Sequence, residues 1–109
     1  MSPVSRQSQA FNVYALFDPR SNEARYVGQT SESLDKRLIA HCQEAHRKST
    51  AKNQWIQELQ AQEQWPGIRL LEQVHGRRRD AYDAESRWIR QLRSEGQRLL
   101  NQPIPIEFR

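Results

Sequence analysis

The sequence predicts a small α/β (α+β) domain, a three-stranded antiparallel sheet flanked by helices in the order ββααβα. Three observations carry this. Residues 11–17 and 25–29 are short runs rich in β-branched and aromatic side chains, with the turn formers Asp18-Pro19-Arg20-Ser21-Asn22-Glu23 between them. That is the pattern of an antiparallel hairpin. Three further stretches repeat apolar residues at helical spacing, and residues 68–74 read as a third strand.

After the hairpin, Ser31 or Ser33 caps a helix running to about residue 45, with Leu34, Leu38, Cys42 and Ala45 as its stripe. The second helix starts near Ser49 or Thr50, buries Trp55, Ile56 and Leu59, and stops before Pro66-Gly67. Asp80, with Asp83 three residues on, is expected to cap a third helix. That helix carries Ala81, Ala84, Trp88 and Leu92 on one face and ends at Gly96. A short helical turn is expected over residues 97–101, before Pro103 and Pro105 forbid continuation. The domain therefore spans 11–102, with residues 1–10 expected as a flexible N-terminal tail and 103–109 as a C-terminal tail.

The 109 residues suffice for one domain and no second module. Charged residues make up 28%, hydrophobic ones 36%, and Trp, Tyr and Phe occur three times each. This is a polar globular composition, not a disordered one. No apolar stretch approaches a membrane span, and Met1–Gln9 lacks the apolar run of a signal peptide. A cytoplasmic location is the expectation. Cys42 stands alone, which excludes an intramolecular disulfide and a Cys-rich zinc site. The net charge of +4 favours an anionic partner.

Glu85 stands out by pattern. It lies four residues after Ala81 and three before Trp88, on their helix face. An unpaired buried carboxylate is costly, so Glu85 must bind a metal, pair with a base, or sit at the wet edge of the stripe. Arg37 and His41 are four apart and each follows a stripe leucine by three, so both flank the buried seam. That position suits a cleft wall, and equally an ordinary surface arginine and a half-buried histidine. Tyr14 and Tyr26 are core packing residues unless both hydroxyls emerge on one side of the sheet, which depends on the hairpin register. Gly28 allows either close backbone approach or an unusual dihedral at the strand end. The run Arg77-Arg78-Arg79 and the cluster Arg47, Lys48 and Lys52 are candidate phosphate contacts; the alternative is solvated basic loops.

The runs Asn12-Val13-Tyr14 and Tyr26-Val27-Gly28, the helix with Arg37 and His41, and Ala84-Glu85-x-x-Trp88-Ile89 together resemble the GIY-YIG nuclease superfamily. The resemblance covers roughly residues 11–102. Members are metal-dependent enzymes that hydrolyse phosphodiester bonds in DNA. The resemblance implies a DNA endonuclease using Mg2+ or Mn2+, with Glu85 as the single protein ligand of the cation. It further implies Arg37 as the essential arginine, His41 as a polar active-site residue, and Asn101 as a support for the site's architecture. Tyr14 is the candidate general base, although sequence leaves open whether Tyr14, Tyr26 or His41 takes the first proton. Two positions depart from the pattern: Asn12 replaces a glycine, and Gln29 stands where many relatives carry a basic residue. No separate DNA-reading module is visible, which points to structure-dependent specificity, a homodimer or a partner protein. The rival expectations are a non-cleaving nucleic-acid-binding module on the same fold, and a structural protein whose basic charge is incidental.

Overall fold

In the computed structural model, which describes residues 9–102, the chain runs β1 (Gln9–Phe17), β2 (Ala24–Thr30), α1 (Leu34–Glu44), α2 (Ala51–Ala61), β3 (Gly67–Gly76) and α3 (Arg78–Ser94). This is the expected order. The expected C-terminal tail and most of the N-terminal one lie outside the described residues. The sheet is antiparallel with strand order β2-β1-β3. β1 starts at Gln9, which pairs with Gly76 of a β3 longer than its apolar run suggests.

Helices cover both faces of the central strand, which is why Val13, Tyr14, Ala15 and Leu16 are all buried without alternation. On one face, Tyr14 and Leu16 pack with Trp55, Ile56 and Leu59 of α2, and Leu34 and Leu38 of α1 join them. On the other, Val13 and Val27 pack with Ala84 and Ile89 of α3. Burying side chains of this size on both faces contributes about 1.5–3 kcal/mol each for the larger aliphatics.

The hairpin turn is held by one carboxylate. Asp18, 6% exposed, accepts hydrogen bonds from Arg20 N (2.8 Å), Arg20 Nε (2.9 Å) and Trp55 Nε1 (3.0 Å). Local turn chemistry and α2 packing thus share a single group.

The helix starts divide between expected and corrected. Ser33 Oγ accepts from Lys36 N, and Thr50 Oγ1 from Asn53 N, so Ser33 and Thr50 are the caps of α1 and α2. On α3 the N-cap is Arg77, not Asp80. Asp80 lies within the first turn and its Oδ2 accepts from the Arg77 amide at 2.8 Å, so the acid caps from inside the helix. The buried centre of α3 is Ala81, Ala84 and Ile89. Trp88 is half-buried, with its indole N–H donated to Glu72 at 2.8 Å. Gly96, at φ +90, ends the helix as expected.

The expected helical turn over 97–101 is absent. That segment instead follows the outer side of β2, where backbone groups are available to it. Leu100 N donates to Arg25 O, Gln97 Oε1 accepts from Ala24 N, and the Asn101 amide exchanges two hydrogen bonds with Val27 N (2.9 Å) and Val27 O (2.8 Å). No helix among the described residues is long and apolar enough to cross a membrane.

Candidate active site

The register answers the question that spacing leaves open. Tyr14 faces Gly28 across the hairpin and Leu16 faces Tyr26. Side chains alternate along a strand with period two, so Tyr14, Leu16 and Tyr26 share one face. That face is the one covered by α1 and α2, and α1 lays Arg37 and His41 over it.

Tyr14 Oη is the hub. It lies 2.7 Å from His41 Nε2 and accepts from Arg37 Nε at 3.2 Å. The imidazole also stands edge-on to both phenol rings, at 5.8 Å from Tyr14 and 5.5 Å from Tyr26. Its remaining nitrogen, Nδ1, is 3.0 Å from Lys52 Nζ, and the Lys52 ammonium also lies 5.1 Å from the Tyr26 ring centroid. His41 is 0% exposed. It was expected to flank the seam; it occupies the seam, because the polar groups of Tyr14 and Lys52 meet both of its nitrogens there. Arg37 divides its guanidinium between Tyr14 and a 3.7 Å ion pair with Glu44.

Gly28 makes this arrangement sterically feasible. A Cβ there would collide with the Tyr14 hydroxyl and lie 2.7 Å from Tyr14 Cζ. The glycine serves close side-chain approach, not an unusual dihedral.

A cavity of about 660 Å³ opens beside this cluster, lined by Tyr26, Glu44, Arg47, Lys48, Lys52 and Glu85 among others. The start of α2 and the face of α3 both contribute, so the two layers meet there past edge strand β2. Glu85 faces it from α3, half-buried. Tyr14 and His41 lie behind the wall; Tyr26 forms part of it.

The electrostatics follow from burial and proximity. Burial lifts the Glu85 carboxyl to about 7. The Tyr14 phenol is driven upward by burial, against the lowering influence of the Arg37 hydrogen bond and charge. Tyr26 moves the same way, by burial and then by the Glu85 charge. Burial, with the Lys52 and Arg37 cations, pulls His41 down to about 3, so its ring is neutral near pH 7. Lys52 is lowered by burial and by Arg37.

Of the residues singled out from sequence, Tyr14, Tyr26, Arg37, His41, Gly28 and Glu85 converge here. Asn101 lines the cavity too, but its amide is spent on the Val27 backbone. Arg47, Lys48 and Lys52 also line it, whereas Arg77, Arg78 and Arg79 are exposed at the start of α3, outside the lining. Arg78 donates to Gln29 Oε1 at 3.3 Å and lies over the Phe11 ring. The contact between Lys52 and His41 carries no sequence signal, since no spacing rule connects a helix to the first turn of the next.

The sequence model of a known family, the GIY-YIG catalytic domain, matches residues 10–99, nearly the span read from the two tyrosine runs. The observed α+β architecture agrees with that match. No curated protein and no solved structure gives a match.

Proposed function

Because the chain belongs to the GIY-YIG catalytic domain family, a family of nucleases that are generally endonucleases, we propose that it cuts DNA with one divalent cation at Glu85. The observation that carries this reading is convergence. Tyr14, Arg37 and His41 are joined by hydrogen-bond contacts and Tyr26 by ring contact with His41, so residues from three elements form one cluster beside a cavity that Glu85 enters from a fourth.

Glu85 fits a hard cation such as Mg2+ or Mn2+. Its carboxylate is half-buried at the cavity wall and raised by burial alone, so a cation would favour its charged form. Among the described residues no three His, Cys, Asp or Glu side chains could hold a metal together. Magnesium does not require that, because it keeps several waters and takes one or two carboxylates plus substrate phosphate. When bound, such an ion neutralises a phosphate oxygen and stabilises the leaving 3′ oxygen.

The protein groups supply the rest. Arg37 offers paired donors to charge developing on the phosphate oxygens. Tyr14 would take the proton of the attacking water as the phenolate, after giving its own proton to solvent. The Arg37 N–H on its oxygen favours that charged form against the burial that opposes it. Burial raises both phenols, and the Glu85 charge adds to it, least of all at Tyr14. Tyr26, in the cavity wall, orients the water. Arg47, Lys48 and the first-turn amides of α2 would hold the DNA backbone, with Arg77, Arg78 and Arg79 adding contacts outside the cavity. Specificity would come from DNA structure, a second copy of the chain, or a partner protein.

The burial of Tyr14 and His41 is what favours the second reading, a module that holds nucleic acid without cutting it. Supercoiled, branched and single-stranded DNA, incubated with Mg2+ or Mn2+, separates the two. Metal-dependent cleavage by the wild type that disappears in Glu85→Ala supports the enzyme. Salt-sensitive binding without cleavage supports the module, and equal cleavage by both proteins removes Glu85 from the chemistry.

A further inference from the structure

We propose that Lys52 is a positioning residue whose ammonium occupies Nδ1 of His41 and thereby fixes the imidazole in the tautomer that donates Nε2–H to the Tyr14 hydroxyl. Its catalytic consequence rests on the active-site reading above; the tautomer itself does not.

The chemistry of the three groups leaves one consistent arrangement. A protonated lysine has three N–H donors and no acceptor. At 3.0 Å from His41 Nδ1, it requires a lone pair on that nitrogen. The ring is fully buried among Tyr14, Tyr26 and the Lys52 and Arg37 cations. A second positive charge is disfavoured there, so the ring is neutral and carries one proton. With Nδ1 taken as acceptor, that proton is on Nε2, 2.7 Å from Tyr14 Oη.

Lys52 is well placed to remain charged while half-buried. Its ammonium sits over the Tyr26 ring and near Glu44, whose charge opposes the lowering caused by burial. It projects from the first turn of α2, which Thr50 caps and Trp55, Ile56 and Leu59 anchor in the core. The contact is therefore held by a rigid element, not by a loop.

The consequence is an assignment of proton roles. Tyr14 Oη receives two N–H donors, one from His41 and one from Arg37, and both strengthen when the oxygen becomes negative. His41 offers that oxygen no lone pair, so it does not act as the base toward Tyr14. In the other tautomer Nε2 would accept a hydrogen bond from the phenol, and a phenolate that had lost its proton to solvent would face a lone pair instead of a donor. Lys52 thus selects Tyr14 over His41 as the proton acceptor without touching either substrate or Tyr14.

The test is the ring tautomer, read by two-bond 1H–15N correlation on 15N-labelled protein without metal or DNA. His41, His46 and His75 are distinguished by single His→Gln variants. We expect the Nε2–H form alone for His41 in the wild type and in Lys52→Arg, which keeps a donor. In Lys52→Met, which keeps the apolar stem, the Nδ1–H form should appear and kcat should fall at least tenfold with KM nearly unchanged. A wild-type Nδ1–H tautomer overturns the proposal, as does a folded Lys52→Met protein whose tautomer is unaltered. A loss confined to KM and to the salt dependence of binding would make Lys52 a phosphate contact and also overturn it. The expected tautomers in a protein that never cleaves DNA would refute the nuclease reading and leave the Lys52 assignment standing.

Discussion

Gly28→Ala adds one methyl group at the point where the two tyrosine strands meet. The added carbon would lie 2.7 Å from Tyr14 Cζ, closer still to the hydroxyl, and 3.2 Å from Cε2. Ordinary carbon contacts lie at about 3.5–4.0 Å, so the ring must move by roughly 1 Å. At this position β1 is paired on both sides, to Gly28 and to Leu70, with the β1–β3 register shifting between Val13 and Tyr14. A shift of that size would stretch the 2.7 Å His41 contact and the 3.2 Å Arg37 bond out of hydrogen-bonding range. Overpacking of this kind costs about 1–3 kcal/mol. Restricting the unfolded chain returns about 0.4–1 kcal/mol, since Gly28 needs no special dihedral. The net expectation is about 1–2 kcal/mol less stability by urea titration, with kcat down about a hundredfold from the displaced hydroxyl. Adding Tyr14→Phe removes the nearest atom, so the double variant should recover stability beyond additivity. A Gly28→Ala protein of full stability and full activity would show that Tyr14 does not rest against this glycine.

Three further outcomes follow from the charged groups. The hydrogen bonds from Arg20 and then Trp55 hold Asp18 well below the ordinary carboxylate range; its folded-state pKa is thus depressed, so its stabilisation is present above about pH 4 and fades as pH falls further. Asp18→Ala should cost about 1–3 kcal/mol at pH 7, much of it from the orphaned Trp55 indole, and less at pH 2–3; equal losses at both pH values would dismiss the charge argument. Glu85 has the opposite sign, since burial raises it to about 7 in the folded protein. Folding is favoured below its unfolded value and that advantage is lost as pH rises through about 7. Glu85→Gln should therefore match the wild type near pH 4 and exceed it at pH 8, by on the order of 1 kcal/mol after allowance for solvent screening. Mg2+ should raise the wild-type Tm and leave that of the variant unmoved; a shared rise would place the cation elsewhere.

Much of this architecture is legible in the sequence because local chemistry and global packing agree. The β-branched runs, the Asp18–Glu23 turn and the stripe of Trp55, Ile56 and Leu59 each point to the element that forms. Glu85 was readable as a carboxylate on an apolar face, and it does sit at the wet edge of that face. What escaped depends on distances between elements. His41 is fully buried only because Tyr14 and Lys52 satisfy its two nitrogens, and neither partner is near it in sequence. Asp80 illustrates a different limit: an acid near a helix start caps equally well from outside or from the first turn, and composition does not decide which. The 97–101 segment failed as a helix because its hydrogen bonds were already claimed by β2. Residue propensity has no knowledge of that strand.

That segment has a further consequence. An edge strand exposes a row of free amides and carbonyls, ready to template another chain. Leu100 and Asn101 occupy such groups at Arg25 and Val27, so β2 meets solvent with part of its outer ladder already closed. A chain cut short after Gly96 would lose more than a few contacts. It would present an adhesive margin directly beside the cavity, and its characteristic failure would be clumping with its own kind before outright unfolding.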